Sequence, residues 1–147
     1  MTQNQIAEIS ISYTPSRYKQ AKIQSTADAY NVLKDFFAPD TIALQEQFVV
    51  MYLNACHNVL GIYTASKGGI TGTVADIRLI LGVALKTAST AIIIAHNHPS
   101  GNLQPSKADE TLTQKLKNAA GLLDVNLFDH LIISDVGYYS FADEGKM

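Results

Sequence analysis

Between Ala91 and Ala95 the chain runs AIIIA, an apolar stretch with no polar interruption, and that is how a strand buried on both faces of a sheet is written. The patterns on either side differ from it. From Ser25, the string STADAYNVLKDFF sets Tyr30, Leu33, Phe36 and Phe37 behind a serine cap, which predicts a helix running to Ala38-Pro39. Residues 46–54, EQFVVMYLN, and residues 58–65 read as strands joined by a hairpin over 55–58. In VADIRLILGVALKTA, Val74, Ile77, Ile80, Leu81, Ala84 and Leu85 fall at helical spacing, and Gly82 is expected to let that helix approach the sheet closely. KADETLTQKLKNAAGLL predicts an amphipathic helix from Ser106 to about Leu123. VNLFDHLIIS and YYSFADEG then predict two closing strands around a turn at 135–137. Residues 6–13, with Ile9, Ile11 and Tyr13 on one face, predict an edge strand closed by Thr14-Pro15-Ser16.

A strand-rich middle flanked by three helices predicts an α/β sandwich with a mixed sheet and helices on both faces. With 147 residues and 47% hydrophobic content, one domain is expected over residues 1–147, with 1–24 as edge strand and lead-in. The net charge is −2 and the basic residues are scattered. No basic stripe exists for a nucleic-acid backbone, so strong direct nucleic-acid binding is not expected. The single cysteine, Cys56, fits a reducing compartment. MTQNQIAEIS does not read as a signal region, and no apolar run approaches the ~20 residues of a membrane span. The expectation is a cytoplasmic protein with no membrane partner.

The candidate chemistry follows the apolar strand directly. His96 and His98 lie two apart and share one side of it, while Asn97 points the other way. Pro99, Ser100 and Gly101 end the strand in a turn, and the chain restarts as a helix with Ser106 as its cap and Asp109 in the first turn. Ligands collect beyond the carboxyl ends of such strands, where the next helix begins. Two histidines and a carboxylate make a catalytic zinc site with one position left for water, which points to a hydrolase. Each part also has a plain structural reading, the serine and aspartate as a capping box and the histidines as hydrogen-bonded core. A hydrolase needs a base as well, and Glu8, Glu46, Glu110 and Glu144 are candidates. Glu46 is favoured because it opens a buried-looking strand, where a carboxylate is costly without a partner. Cys56-His57 falls in a hairpin turn and is read as outside any metal site. His130 is read as a satisfied core histidine.

A glutamate, then H-x-H, seven residues, serine, two residues and aspartate resembles the JAMM signature of the JAB/MPN metalloproteases. Glu46, His96, His98, Ser106 and Asp109 fit it. HNHPSG, PSKAD, DHLIIS and YYSFADEG resemble more narrowly the RadC-type branch, over most of the chain from about Ser25 onward. The resemblance implies the three-layer JAB/MPN fold, related to that of cytidine deaminase, and zinc-dependent peptidase or isopeptidase chemistry on a protein or peptide substrate. It implies one Zn²⁺ per chain on His96, His98 and Asp109, with Glu46 activating water and Ser106 hydrogen-bonding the oxyanion. Two departures stand out. The helix-hairpin-helix region of longer RadC-type proteins has no counterpart here, and VADIRLI lacks the proline-arginine-glutamate of many relatives, leaving Arg78 as the nearest basic residue. An accessory protein-interaction module tied to DNA repair or mobile elements is the non-enzymatic alternative. A nucleobase deaminase would need H-x-E and P-C-x-x-C, which one cysteine does not supply.

Overall fold

A computed structural model describes residues 6–68 and 75–147. The run AIIIAHN forms β3 (Ala91–Asn97), buried along its whole length at the centre of a five-stranded sheet. Beside it lies β1 (Gln47–Leu53), equally buried, and beyond that β2 (Val59–Lys67) forms one edge. On the other side come β4 (Asn126–Ile133) and the short β5 (Tyr138–Ser140). The spatial order is β2-β1-β3-β4-β5, and among the described residues only the β3–β4 pair is parallel. That pair requires a crossover, and α3 (Lys107–Leu122) provides it.

Alternation along the strands separates two cores. Val49, Met51, Leu53, Ile93, Ala95, Leu131 and Ile133 face α1 (Thr26–Phe36), which contributes Ala29 and Leu33. Phe48, Val50, Tyr52, Ile92, Ile94 and Leu127 face the other way, onto Ile80, Leu81 and Ala84 of α2 (Ile77–Lys86) and Leu116 and Ala120 of α3. The expected sandwich is therefore present, with one helix on one face and two on the other.

Three local expectations are corrected. Residues 6–13 form no strand, because nothing among the described residues pairs with them in a ladder. Ile6, Ile9 and Ile11 are exposed, and the segment touches the sheet through the Tyr13 hydroxyl, which donates to the Leu60 carbonyl at 2.7 Å. Gly82 does not sit against the sheet. It faces solvent, a Cβ there would meet nothing within 4 Å, and Leu85 is likewise exposed. The closing strand ends at Ser140, after which 141–145 turn, with Gly145 at φ 68°. The second helix begins at Ile77 behind an Asp76 cap, and Val74 lies outside the described residues.

Candidate metal centre

The alternation that buries Ile92 and Ile94 on the α2/α3 side carries His96 and His98 to that side as β3 ends. His96 is buried and His98 half-buried. Their Nε2 atoms lie 2.9 Å apart. The Nδ1 of His98 is 2.6 Å from the Asn102 carbonyl oxygen. A carbonyl only accepts, so this nitrogen carries the hydrogen, and in the neutral ring His98 Nε2 keeps its lone pair. Gly101, at φ 82°, makes the turn that brings residue 102 back over the strand end.

Asp109 arrives from the first turn of α3. The Ser106 hydroxyl accepts from the Asp109 backbone N–H at 3.1 Å, and Asp109 Oδ2 accepts from the Ser106 N–H at 2.8 Å, a reciprocal capping box. The same carboxylate faces both histidines, with Oδ1 3.3 Å from His96 Nε2 and Oδ2 3.4 Å from His98 Nε2. The capping and site readings of Ser106 and Asp109 are thus one arrangement, in which the cap fixes the carboxylate.

Glu46 stands just ahead of β1, half-buried, and lines a cleft of about 230 Å³ with Phe48, Ala75, His96, Asp109 and Leu112. Glu46, His96 and His98 each offer a ligand atom within 4.8 Å of the others, a candidate metal-binding group. The residues on either side of Glu46 are held by Asn97, the residue that points the other way, and the Glu46 carbonyl accepts from the Gly68 N–H at 2.9 Å. Fully buried, Asn97 accepts from the Gln47 N–H at 2.7 Å and donates to the carbonyls of Ile42 and Gln45, each at 2.8 Å. The segment that delivers Glu46 is therefore pinned to the histidine-bearing strand.

The electrostatics follow from this packing. The Asp109 hydrogen bond raises the His98 pKa against the opposing effect of burial, with help from the Asn102 contact and the Glu46 charge. Burial alone would raise the Asp109 carboxyl, but its contacts with the His96 and His98 rings, which donate to it when protonated, the His96 charge and the Ser106 N–H hold it well below the usual carboxylate range. The remaining candidates lie elsewhere. Glu110 pairs with Lys107 at 3.8 Å, and Glu8 and Glu144 are exposed. Arg78 is spent on its own helix cap, with Nη2 3.1 Å from Asp76 Oδ2. Cys56 and His57 occupy the exposed hairpin turn, with the His57 ring edge-on to Phe128.

Sequence reasoning overlooked two groups. Asn97 was legible only as facing away, although a buried amide beside an H-x-H pair signals a clamp. His130 is fully buried and satisfied, as expected, yet one of its partners is His96, at 2.8 Å. Its position in the strand parallel to β3, opposite Ile94, is the signal that places it within reach.

A mixed sheet sandwiched by helices, with a histidine pair at the end of its central strand and a carboxylate on the next helix, defines an α/β domain with a possible metal site. Residues 23–146 match the model of the RadC-like JAB domain. The chain belongs to that family. It is 43% identical over 127 residues to a UPF0758 protein of Flavobacterium johnsoniae, covering 86% of this chain and 54% of the relative. It is also 43% identical over 130 residues to one of Porphyromonas gingivalis, covering 88% and 56%. A third, from Streptococcus sanguinis, is 42% identical over 103 residues, covering 70% and 45%. The chain spans about half the length of these relatives.

Proposed function

We propose that this domain is a zinc-dependent hydrolase that cleaves a peptide or isopeptide bond. The single observation that carries the reading is the convergence of His96 Nε2, His98 Nε2 and both Asp109 oxygens within 3.4 Å, with Glu46 in the same cleft. The donor set fits zinc, which takes imidazole nitrogen and carboxylate oxygen readily. Held by His96, His98 and Asp109, the ion would supply a Lewis acid that brings the pKa of water down to ~7.

The chain's own residues do the rest. Glu46, held beside the histidines by the Asn97 clamp, takes the proton from the attacking water and passes it to the leaving amine. The Ser106 oxygen accepts from the backbone of Asp109, which leaves the hydroxyl hydrogen to donate to the oxyanion as the carbonyl becomes tetrahedral. Leu112, Phe48 and Ala75 give the cleft an apolar side against which a substrate chain packs. The partner is a protein or peptide, since the scattered basic residues and a net charge of −2 offer a nucleic acid no footprint.

The test is hydrolysis of a library of peptide and isopeptide-linked substrates by the zinc-loaded chain, with Glu46→Gln beside it. Cleavage that falls by about 10²–10⁴ in the variant is the expected result. Cleavage at the wild-type rate in Glu46→Gln contradicts the assigned base. No cleavage of any substrate by the zinc-loaded chain would favour a protein-interaction module.

A further inference from the structure

His130 and Thr113 have no part in the chemistry above, yet they are joined to it by an unbroken line of short contacts. His130 sits on β4 with its ring stacked on Phe141, centroids 4.5 Å apart and planes at 11°, and set edge-on to Phe48. Its Nε2 is 2.8 Å from His96 Nδ1, and its Nδ1 is 2.6 Å from Thr113 Oγ1. Thr113 Oγ1 in turn lies 2.7 Å from the backbone carbonyl of Asp109.

The positions of the hydrogens along this line follow from what each atom is able to do. The Asp109 carbonyl only accepts, so the single hydroxyl hydrogen of Thr113 points at it. The Thr113 oxygen must then accept from its other neighbour, so His130 carries its hydrogen on Nδ1. A neutral imidazole has one N–H, and the apolar walls of Phe48 and Phe141 offer no counter-charge for a second. His130 Nε2 is therefore an acceptor, and the hydrogen between the two rings belongs to His96 Nδ1.

We propose that Thr113 and His130 form a directed hydrogen-bond relay, anchored on the α3 backbone, that locks His96 in its Nδ1–H tautomer and leaves the Nε2 lone pair aimed into the cluster. They are positioning residues, acting on a ligand through its far nitrogen. The consequence is specific to this pair of histidines. His98 is held in the same tautomer by Asn102, so both Nε2 atoms, 2.9 Å apart, and the Asp109 oxygens face one another as acceptors. Without the relay, His96 is free to place a hydrogen on Nε2 and satisfy the cluster by itself. With it, and with both rings neutral, only a cation does so. The inference deepens the metal-centre reading and rests on it, but the tautomer is measured without any metal.

The experiment uses the full chain, labelled with ¹⁵N-histidine and stripped of metal, at mildly alkaline pH. Long-range ¹H–¹⁵N correlations report the tautomer of each ring, and cobalt(II) titration followed by its visible absorption reports affinity. His96 and His130 are both expected as Nδ1–H. Thr113→Val, which removes the hydroxyl and keeps the volume, is expected to convert both rings to Nε2–H and to weaken cobalt binding by about 10–100-fold. Thr113→Ser is expected to restore both. An Nε2–H tautomer at His96 in the unaltered protein overturns the relay, as do unchanged tautomers in a folded Thr113→Val. Expected tautomers without cobalt binding would leave the relay standing and refute the metal centre instead, so the two failures are distinguishable.

Discussion

Asp109 does two things with one carboxylate. It closes the N-terminus of α3 and faces the Nε2 atoms of His96 and His98, and the pH behaviour of the site follows from this. The His98 pKa is raised in the folded protein. Its contribution to the metal-free stability is complete below the unfolded histidine value of ~6.5 and is lost as pH rises through the folded value. Metal uptake requires the neutral ring, so affinity rises over that same interval. Thermal melts across it, with and without zinc, should diverge as pH increases, and parallel curves would contradict the assignment. Asp109, held low, contributes stability that is complete above the unfolded carboxylate value of ~3.9 and is lost progressively as pH falls below it toward the folded value. Ser106 is separable by the same logic. Glycine caps a helix within a few tenths of a kcal/mol of serine, so Ser106→Gly should melt nearly as the parent while losing about 10²–10³ in kcat. Equal loss of rate and stability, or no loss of rate, would limit Ser106 to capping.

Between elements, the contact that matters most is the Asn97 clamp. Three bonds from one buried amide tie the segment ahead of β1 to the end of β3. Asn97→Ala leaves a backbone N–H and two carbonyls without that partner, and is expected to cost about 3 kcal/mol in chemical denaturation and to weaken hydrolysis through Glu46. A cost below about 1 kcal/mol would show that the segment holds itself. Gly82 gives the opposite prediction. Since it faces solvent with open space at its Cβ, Gly82→Ala should stabilise α2 by about 0.5–1 kcal/mol. Destabilisation would mean a packing role the geometry does not show.

Elements with a strong internal signal were legible in the sequence. The uninterrupted AIIIA run gave a central strand, and the serine caps at Ser25 and Ser106 placed two helix starts at the right residue. Residues 6–13 failed because alternation specifies a strand only where a neighbour pairs with it, and neither the pattern nor Tyr13 names that neighbour. Gly82 failed for a related reason, since helical spacing marks an apolar stripe without fixing its edges. That His96, His98 and Asp109 lie together was legible because they are near in sequence and the last is fixed by a helix cap, whereas the His130 link depends on β4 pairing in parallel with β3, a long-range choice that no local pattern states.

At the scale of the whole molecule, the sheet brings three distant segments to one place. The residue ahead of β1, the end of β3 and the first turn of α3 meet at the cleft, and none of them holds the others without the fold between. Binding at such a point couples to global stability, because the ligand set exists only when the chain is folded. Zinc at a hundred times its dissociation constant should stabilise the chain by about 2.7 kcal/mol, a rise in Tm of roughly 5–10 °C for a domain of this size. A chelator should reverse it. The chain spans about half the length of its relatives, so the natural substrate is to be sought with the domain in its longer context as well as alone.

The central claim, a metal centre built on His96, His98 and Asp109, is tested most directly by elemental analysis of zinc-loaded, desalted protein beside His98→Ala and Asp109→Ala. Close to one zinc per chain is expected in the parent, and a loss in both variants. An absence of zinc in the parent, or full retention in either variant, would contradict it.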